Sequence, residues 1–193
     1  MKRRSIFLLT IKRIFVLSML IILFLWGTGQ IETIQKIFYP YPYRATVEKF
    51  SAQYGVDPLL VAAVIREESK FLPKSESHKG AKGLMQLMPN TARWISESMG
   101  DVNYRDEDLV LPEKNIQYGT WYLANLKKEF NNDLILALAA YNGGSGHVKE
   151  WLGQKLLDPK NIRQEDIPFQ ETREYVGRVL KSYARYIKLY SGK

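Results

Sequence analysis

Two adjacent glutamates, Glu67 and Glu68, are the first residues in this sequence whose type and position could support catalysis. They close an apolar stretch, LLVAAVIREES, that predicts a helix buried on most sides. A carboxyl group beside an apolar core is poorly solvated, which raises its pKa and keeps it protonated near neutral pH. Such an acid can protonate a glycosidic oxygen. Since the two side chains lie about 100° apart on a helix, periodicity leaves open which one faces a cleft, or whether both are ordinary solvated residues.

Three later segments combine polar and small residues in patterns that can build a binding site. Residues 77–92, SHKGAKGLMQLMPNTA, place Gln86, an amide able to orient a polar ligand, between two methionines. Residues 139–146, AAYNGGSG, present Tyr141 at a predicted helix end. The third segment, IPFQETREYV, covers residues 167–176. The simpler interpretation is a tight turn with core methionines, a helix C-cap and a helix start.

The elements around these segments follow a helical pattern, which predicts an all-α protein or nearly so. Only Gly83 to Met88 could be extended. The pattern predicts helices at 44–54, from the N-cap pair Asp57-Pro58 to Ser69, and at 89–99, 112–130, 133–141 and 171–190.

The N-terminus has the features of a membrane-targeting segment. Residues 14–26 are apolar except for Ser18, and the first 30 residues carry five basic and no acidic side chains. Positive residues stay on the cytoplasmic side, so the domain that follows should be delivered outside. A spanning helix needs about 20 residues, and the apolar run approaches this length only when it is continued to Ile31. We therefore expect residues 14–31 to form an uncleaved anchor. A cleaved signal is the alternative, although residues 26–29, WGTG, make a poor cleavage site; a buried core helix fits the flanking charges less well.

The chain then divides into three parts. Residues 38–43, FYPYPY, contain two prolines that interrupt any helix, so they are predicted to be a linker. Residues 1–37 would form the cytoplasmic basic tip and the anchor, and residues 44–193 a single exported domain.

Composition excludes several classes of function. The net charge is +8, but five of the positive charges lie in the N-terminal segment and only +3 remains for the rest, so nucleic-acid binding is not indicated. The chain has no cysteine, which excludes disulfides, thiolate metal sites and a cysteine nucleophile. His78 and His147 have no metal-ligand spacing, and no metal site is predicted.

Four motifs in this order resemble the soluble lytic transglycosylase family: E-S-x-F, then S-x-x-G-A-x-G-L-M-Q-L-M-P-x-T-A, then A-Y-N-G-G, then P-F-x-E-T-R-x-Y-V. The resemblance covers roughly residues 47–186 and implies a lysozyme-like fold. Gly143 stands where the family commonly has alanine, a small departure. A larger one is that the N-terminal superhelical region of the big soluble members has no counterpart, so the chain resembles a minimal catalytic domain on an anchor.

The resemblance also implies roles for particular residues. It selects Glu68, the glutamate that precedes the serine of E-S, as the catalytic acid. It further implies that the sugar site is lined by Ser77, Gln86, Met88, Tyr141, Glu171 and, less strongly, Tyr175.

The implied activity is non-hydrolytic cleavage of the β-1,4 bond between N-acetylmuramic acid and N-acetylglucosamine in peptidoglycan, giving 1,6-anhydro-muramoyl products. No cofactor is implied. A muramidase that hydrolyses the same bond with water and a non-catalytic murein-binding module are the two alternatives. The implied location is the bacterial cell membrane, with the catalytic domain outside the cytoplasm, or export if the signal is cleaved.

Overall fold

The computed structural model describes residues 2–27 and 30–191, and within these residues it contains helices and turns but no β-strand. This confirms the predicted fold class. The helices are α1 (Lys2–Gly27), α2 (Gln30–Phe38), α3 (Arg44–Tyr54), α4 (Pro58–Ser69), α5 (Pro89–Met99), α6 (Pro112–Glu129), α7 (Leu134–Gly143), α8 (Ser145–Gly153) and α9 (Gln170–Tyr190), with short 3₁₀ turns at Asp106–Val110 and Gln164–Asp166.

The chain forms two compact units, one ending at Pro40 and the other beginning at Tyr41. In the first unit, the span Thr10–Gly27 of α1 has a mean hydropathy of 1.9, and none of it is buried. By length and composition this helix can cross a membrane. The predicted anchor and its weak cleavage motif both include Thr28 and Gly29, which lie outside the described residues.

Helix α4 forms the centre of the second unit. Its start is fixed as predicted, because the Asp57 side chain accepts a hydrogen bond from the Leu59 amide at 2.8 Å and Pro58 occupies the first turn. Seven consecutive residues, 59–65, are buried, and the helix packs along α9. The helix therefore runs through the core, and its last turn, which contains the two glutamates, lies at the edge of the core.

Two details of the second unit differ from the sequence expectations, and in the first unit α2 was not predicted as a separate helix. Helix α8 was not predicted: at Gly144, with φ +91°, the chain turns from α7 directly into a further helix. Residues 83–88 do not form a strand; Lys82 instead makes isolated bridges with Glu76 and Leu87, which fold the segment into a tight loop.

Candidate active site

Glu68 lies at the end of α4 in a position that is accessible yet poorly solvated. The residue keeps part of its surface exposed, whereas its carboxyl group is surrounded by protein. Burial raises the pKa of Glu68 to about 7, and the Glu67 charge adds to this; the nearby Tyr175 hydroxyl and the charge of Arg178 act in the opposite direction. Glu68 can therefore hold or release a proton near neutral pH.

Glu67 has the opposite environment, although its side chain is only 4% exposed. Its carboxylate accepts hydrogen bonds from Ser182 at 2.6 Å and Lys70 at 3.1 Å and is ion-paired with Arg66. Burial by itself raises the pKa of Glu67, but these hydrogen bonds and charges outweigh it and lower the pKa. Glu67 is thus a fixed anion that ties α4 to α9, and it does not face solvent.

Two tyrosines from different helices approach Glu68. Tyr175 of α9 is buried, and its hydroxyl interacts with the Glu68 carboxyl, outside ideal geometry and without another partner among the described residues. Tyr141, at the end of α7, is half-buried and donates a hydrogen bond to the Met85 carbonyl at 2.8 Å. Burial raises the pKa of both phenols, and the neighbouring Glu68 charge raises it further, so both stay protonated.

The loop between α4 and α5 forms the next wall, and Ser69 anchors it. The Ser69 hydroxyl is buried and donates a hydrogen bond to the Leu84 carbonyl at 2.8 Å. Because Ser69 directly follows Glu68, this bond fixes the loop next to the end of α4. Gln86 adopts a left-handed conformation, with φ +48°, and its amide nitrogen donates to the carbonyls of Ser75 at 3.1 Å and Gly83 at 2.9 Å. Only the amide oxygen of Gln86 thus remains available to a ligand.

The remaining predicted site residues occupy this loop and the start of α9. Ser77 uses its hydroxyl to accept a hydrogen bond from the Ala81 amide at 3.0 Å, a contact inside the loop. Met88 is 40% exposed and immediately precedes α5. Glu171 is 77% exposed and lies 3.9 Å from Lys79 across a pocket of about 530 Å³, which His147 and Phe169 also line. Glu171 is thus a solvated side chain at the rim, unlike the protein-surrounded carboxyl group of Glu68.

Asn115 is a residue that the sequence analysis missed. It is completely buried in α6, accepts a hydrogen bond from the Met85 amide at 2.7 Å, and donates to the carbonyls of Leu109 at 2.8 Å and Lys82 at 3.0 Å. It therefore bonds three backbone groups beneath the loop, of which the Lys82 carbonyl also accepts a hydrogen bond from the Leu87 amide. The sequence signal was a polar side chain on the apolar face of α6.

Glycines allow this loop to approach α6 closely. Gly83 has φ +81°, and a Cβ atom there would overlap the Leu109 carbonyl and the Asn115 amide. A Cβ at Gly119 of α6 would overlap the buried Met85 side chain. Close packing of loop and helix is thus what sets the position of Met85, whose carbonyl holds Tyr141.

The sequence and the structure both have known relatives. Residues 45–162 match the family model described as "Transglycosylase SLT domain". The chain is 37% identical to the soluble lytic murein transglycosylase of Salmonella typhimurium over 158 residues, which make up 80% of this chain and 24% of that protein. It is also 37% identical to membrane-bound lytic murein transglycosylase F of Desulfosudis oleivorans, covering 78% of this chain and 34% of that protein.

Solved structures give the same result. The crystal structure of the 70 kDa soluble lytic transglycosylase of Escherichia coli superposes with a TM-score of 0.75 at 35% identity, covering 82% of this chain and 26% of that one. An inactive glutamate-to-glutamine mutant of a Pseudomonas aeruginosa lytic transglycosylase superposes with a TM-score of 0.71 at 36% identity, covering 79% and 25%. The chain spans about a quarter of the length of these soluble relatives. The chain belongs to the transglycosylase SLT domain family, and it shares the lysozyme-like helical fold of that family.

Proposed function

We propose that this protein is a peptidoglycan lytic transglycosylase in which Glu68 is the single catalytic acid and base. The observation that supports this most directly is the protein-surrounded Glu68 carboxyl, with a pKa of about 7 and the hydroxyls of Tyr141 and Tyr175 beside it. A group with that pKa can donate a proton in one step and accept one in the next at neutral pH. The relatives are named as murein transglycosylases, which agrees with this assignment.

The proposed reaction has two steps. Protonated Glu68 donates its proton to the oxygen between N-acetylmuramic acid and N-acetylglucosamine, and that bond breaks while the substrate's acetamido oxygen supports the positive charge at the anomeric carbon. Ionised Glu68 then takes the proton of the muramoyl 6-hydroxyl, whose oxygen attacks the anomeric carbon and closes the 1,6-anhydro ring. No water is consumed, and Glu68 ends protonated as it began.

The state of Glu67 favours this reaction over hydrolysis. A glycosidase uses two carboxyl groups, the second acting as nucleophile or as base for a water molecule. Both oxygens of the neighbouring Glu67 are already engaged, one by Ser182 and Arg66 and the other by Lys70. Glu67 is therefore unsuited to activating water, and a chemistry that needs one carboxyl group fits better.

The substrate wall is assigned to the residues predicted from the family motifs. Ser77, Gln86 and Met88 lie along the loop beside Glu68, and Glu171 lies at the rim with Lys79. Gln86 would act through its amide oxygen, because its amide hydrogens are bound within the loop.

We further propose that residues 1–37 anchor the protein in the cytoplasmic membrane and that residues 44–193 act outside it, joined by residues 38–43. The apolar span Thr10–Gly27 and the basic residues before it support this orientation. Relatives named as membrane-bound transglycosylases agree with it.

Mass spectrometry of the products from purified murein tests the activity. The full chain in detergent should release muropeptides that end in 1,6-anhydro-muramic acid and are lighter by one water than reducing-end products. Reducing-end products would instead identify a muramidase. Binding without products would identify a murein-binding module.

Glu68→Gln tests whether Glu68 is the catalytic acid. Glu67→Gln, which changes the adjacent residue of the same helix, is the comparison variant. We expect Glu68→Gln to lower product release to background while the protein remains folded. Cleavage by Glu68→Gln at the wild-type rate would rule out Glu68 as the catalytic acid.

A further inference from the structure

A second pocket, of about 500 Å³, shares no lining residue with the rim pocket that contains Glu171. It is bounded by the start of α5, the C-terminal half of α6 and the start of α8. We call it the Trp94 pocket, and the side chains that the argument uses are Thr91, Trp94, Tyr122, Asn125, Ser145 and the pair Glu129–Lys149. Asn90 and Thr91, at the end of the second motif, line it, but none of the predicted site residues does.

A continuous series of aromatic contacts connects this pocket with the candidate active site. The Tyr141 ring, next to Glu68, lies 5.4 Å from the Tyr122 ring, measured between centroids. Tyr122 lies 6.1 Å from Trp94, edge to face, and Trp94 lies 5.5 Å from Trp121. Packed rings thus connect the surroundings of Glu68 with the indole of the pocket.

The lining of the pocket combines an exposed aromatic face with unused polar groups. The Trp94 indole is 44% exposed although three elements surround it. Thr91, Asn125 and Ser145 form no side-chain hydrogen bond with any other described residue. Apolar faces with a few convergent polar groups are the usual composition of a small-molecule site, and a sugar ring presents an apolar face edged by hydroxyl and amide groups.

The charge in the pocket points to a neutral ligand. Its two charged side chains, Glu129 and Lys149, form an ion pair at 2.5 Å and so neutralise each other. A peptide stem bearing free carboxylates would gain little from this pair, since the ammonium group is already engaged. An uncharged N-acetylhexosamine unit matches the indole and the free amide and hydroxyl groups better.

We infer that the Trp94 pocket is an additional saccharide subsite that binds an N-acetylhexosamine unit of the same glycan strand, beyond the units held at Glu68. The inference rests on the proposed function. Trp94 would provide the stacking surface, and Asn125, Thr91 and Ser145 would bond the hydroxyl and acetamido groups. Longer glycans would then bind more tightly than short ones.

Calorimetry with glycan strands of two lengths tests this subsite. The full chain carrying Glu68→Gln, in detergent, is titrated with murein glycans of two and four disaccharide repeats, each without peptide stems. We expect Trp94→Ala to weaken binding of the long glycan by about tenfold, equivalent to about 1.4 kcal/mol, and to leave the short one unchanged. Asn125→Ala should act in the same direction with a smaller effect, and Trp94→Phe should retain most of the affinity.

Leu156→Ala is the matched control, because Leu156 is also an exposed apolar side chain, at 52%, but lies outside the pocket. An unchanged length dependence in Trp94→Ala would overturn the inference, as would an effect seen only when the strands carry peptide stems. Failure of the proposed function has a different signature: neither the wild-type protein nor Trp94→Ala would release products from murein.

Discussion

At the scale of single residues, the contrast between Glu67 and Glu68 is the central feature. The two carboxyl groups are adjacent in sequence, and both are largely buried, yet the pKa of Glu67 is lowered while that of Glu68 is raised to about 7. The difference comes from partners: Glu67 is surrounded by cations and a serine hydroxyl, whereas burial dominates at Glu68. Pairs of titratable groups with pKa values pushed apart by their surroundings are typical of acid–base sites.

The raised pKa of Glu68 predicts how stability and activity depend on pH. Its pKa rises from about 4.3 in the unfolded chain to about 7 in the folded one, so its contribution to stability is fully present below the unfolded value and is lost as pH rises through 7. We therefore expect Glu68→Gln to be more stable than wild type at pH 8, by about 1 to 3 kcal/mol, and to differ little at pH 4. Denaturant unfolding at the two pH values measures this.

The control for this experiment is Glu67→Gln, which should destabilise the protein at neutral and alkaline pH, because it removes an anion from a cationic cluster. Wild-type activity should also fall as pH rises above about 7, where Glu68 loses its proton. An equal stability difference between Glu68→Gln and wild type at both pH values would contradict the assigned titration.

The Tyr141 hydroxyl gives a second prediction at this scale. Tyr141→Phe removes one hydrogen bond to the Met85 carbonyl, which should cost about 1 kcal/mol of unfolding free energy. We expect turnover to fall about tenfold or more, because the hydroxyl lies beside Glu68. This loss of activity would be larger than the loss of stability explains. Tyr183→Phe is a suitable comparison, since its hydroxyl bonds Asp57 at the opposite end of α4. A loss of folding without a specific loss of turnover would show that Tyr141 is only part of the core.

At the scale of elements, the loop of residues 70–88 depends on helices α4 and α6. Ser69 bonds it from α4, and Asn115 bonds it from α6 through the Met85 amide. The Met85 side chain is completely buried where Gly119 leaves room for it. The loop that carries Gln86 is therefore positioned by two helices of the core.

Two helical glycines provide a matched test of this packing. Gly119→Ala should destabilise the protein by about 1 to 3 kcal/mol, because the added methyl group overlaps Met85. Gly146→Ala, in α8, meets no atom within 4 Å and should be neutral or stabilising by up to about 1 kcal/mol. Thermal unfolding of the two variants measures the difference, and equal melting temperatures would show that α6 and the loop are not tightly packed.

At the scale of the whole molecule, the chain consists of a membrane-compatible helix and a separate helical unit. Between residues 11 and 26 most apolar side chains of α1 are exposed, whereas the second unit has a buried apolar core of its own. An apolar helix of this length is stable in lipid because its backbone groups are bonded internally. The second unit contains all of the candidate site.

Arginines in the centre of α1 test the proposed anchor. Each arginine there costs about 2.5 to 3.5 kcal/mol for insertion, so the double variant Leu20→Arg, Ile22→Arg should move the protein from carbonate-washed membranes to the soluble fraction. The same positions changed to alanine should leave it in the membrane fraction. Recovery of wild-type protein in the soluble fraction would contradict an uncleaved anchor.

Much of this protein follows from the sequence by itself. Local rules placed most of the helices, because N-caps such as Asp57, prolines in first turns and glycines after last turns act within a few residues. The family motifs identified the fold and singled out Glu68 without any structure. Helix α8 was not predicted, because it begins at Gly144 directly after α7, where the Asn-Gly-Gly sequence indicates only a helix end.

Only the tertiary structure decided how the candidate site is built. Periodicity could not distinguish Glu67 from Glu68, because their difference depends on the burial of the Glu68 carboxyl group and on the hydrogen bond that Glu67 accepts from Ser182 of α9, 115 residues away in the chain. The role of Asn115 and the restriction of Gln86 to its amide oxygen likewise depend on backbone groups from separate segments. Desolvation and hydrogen bonding act over a few ångströms in space, and folding, not local sequence, brings these groups within that distance.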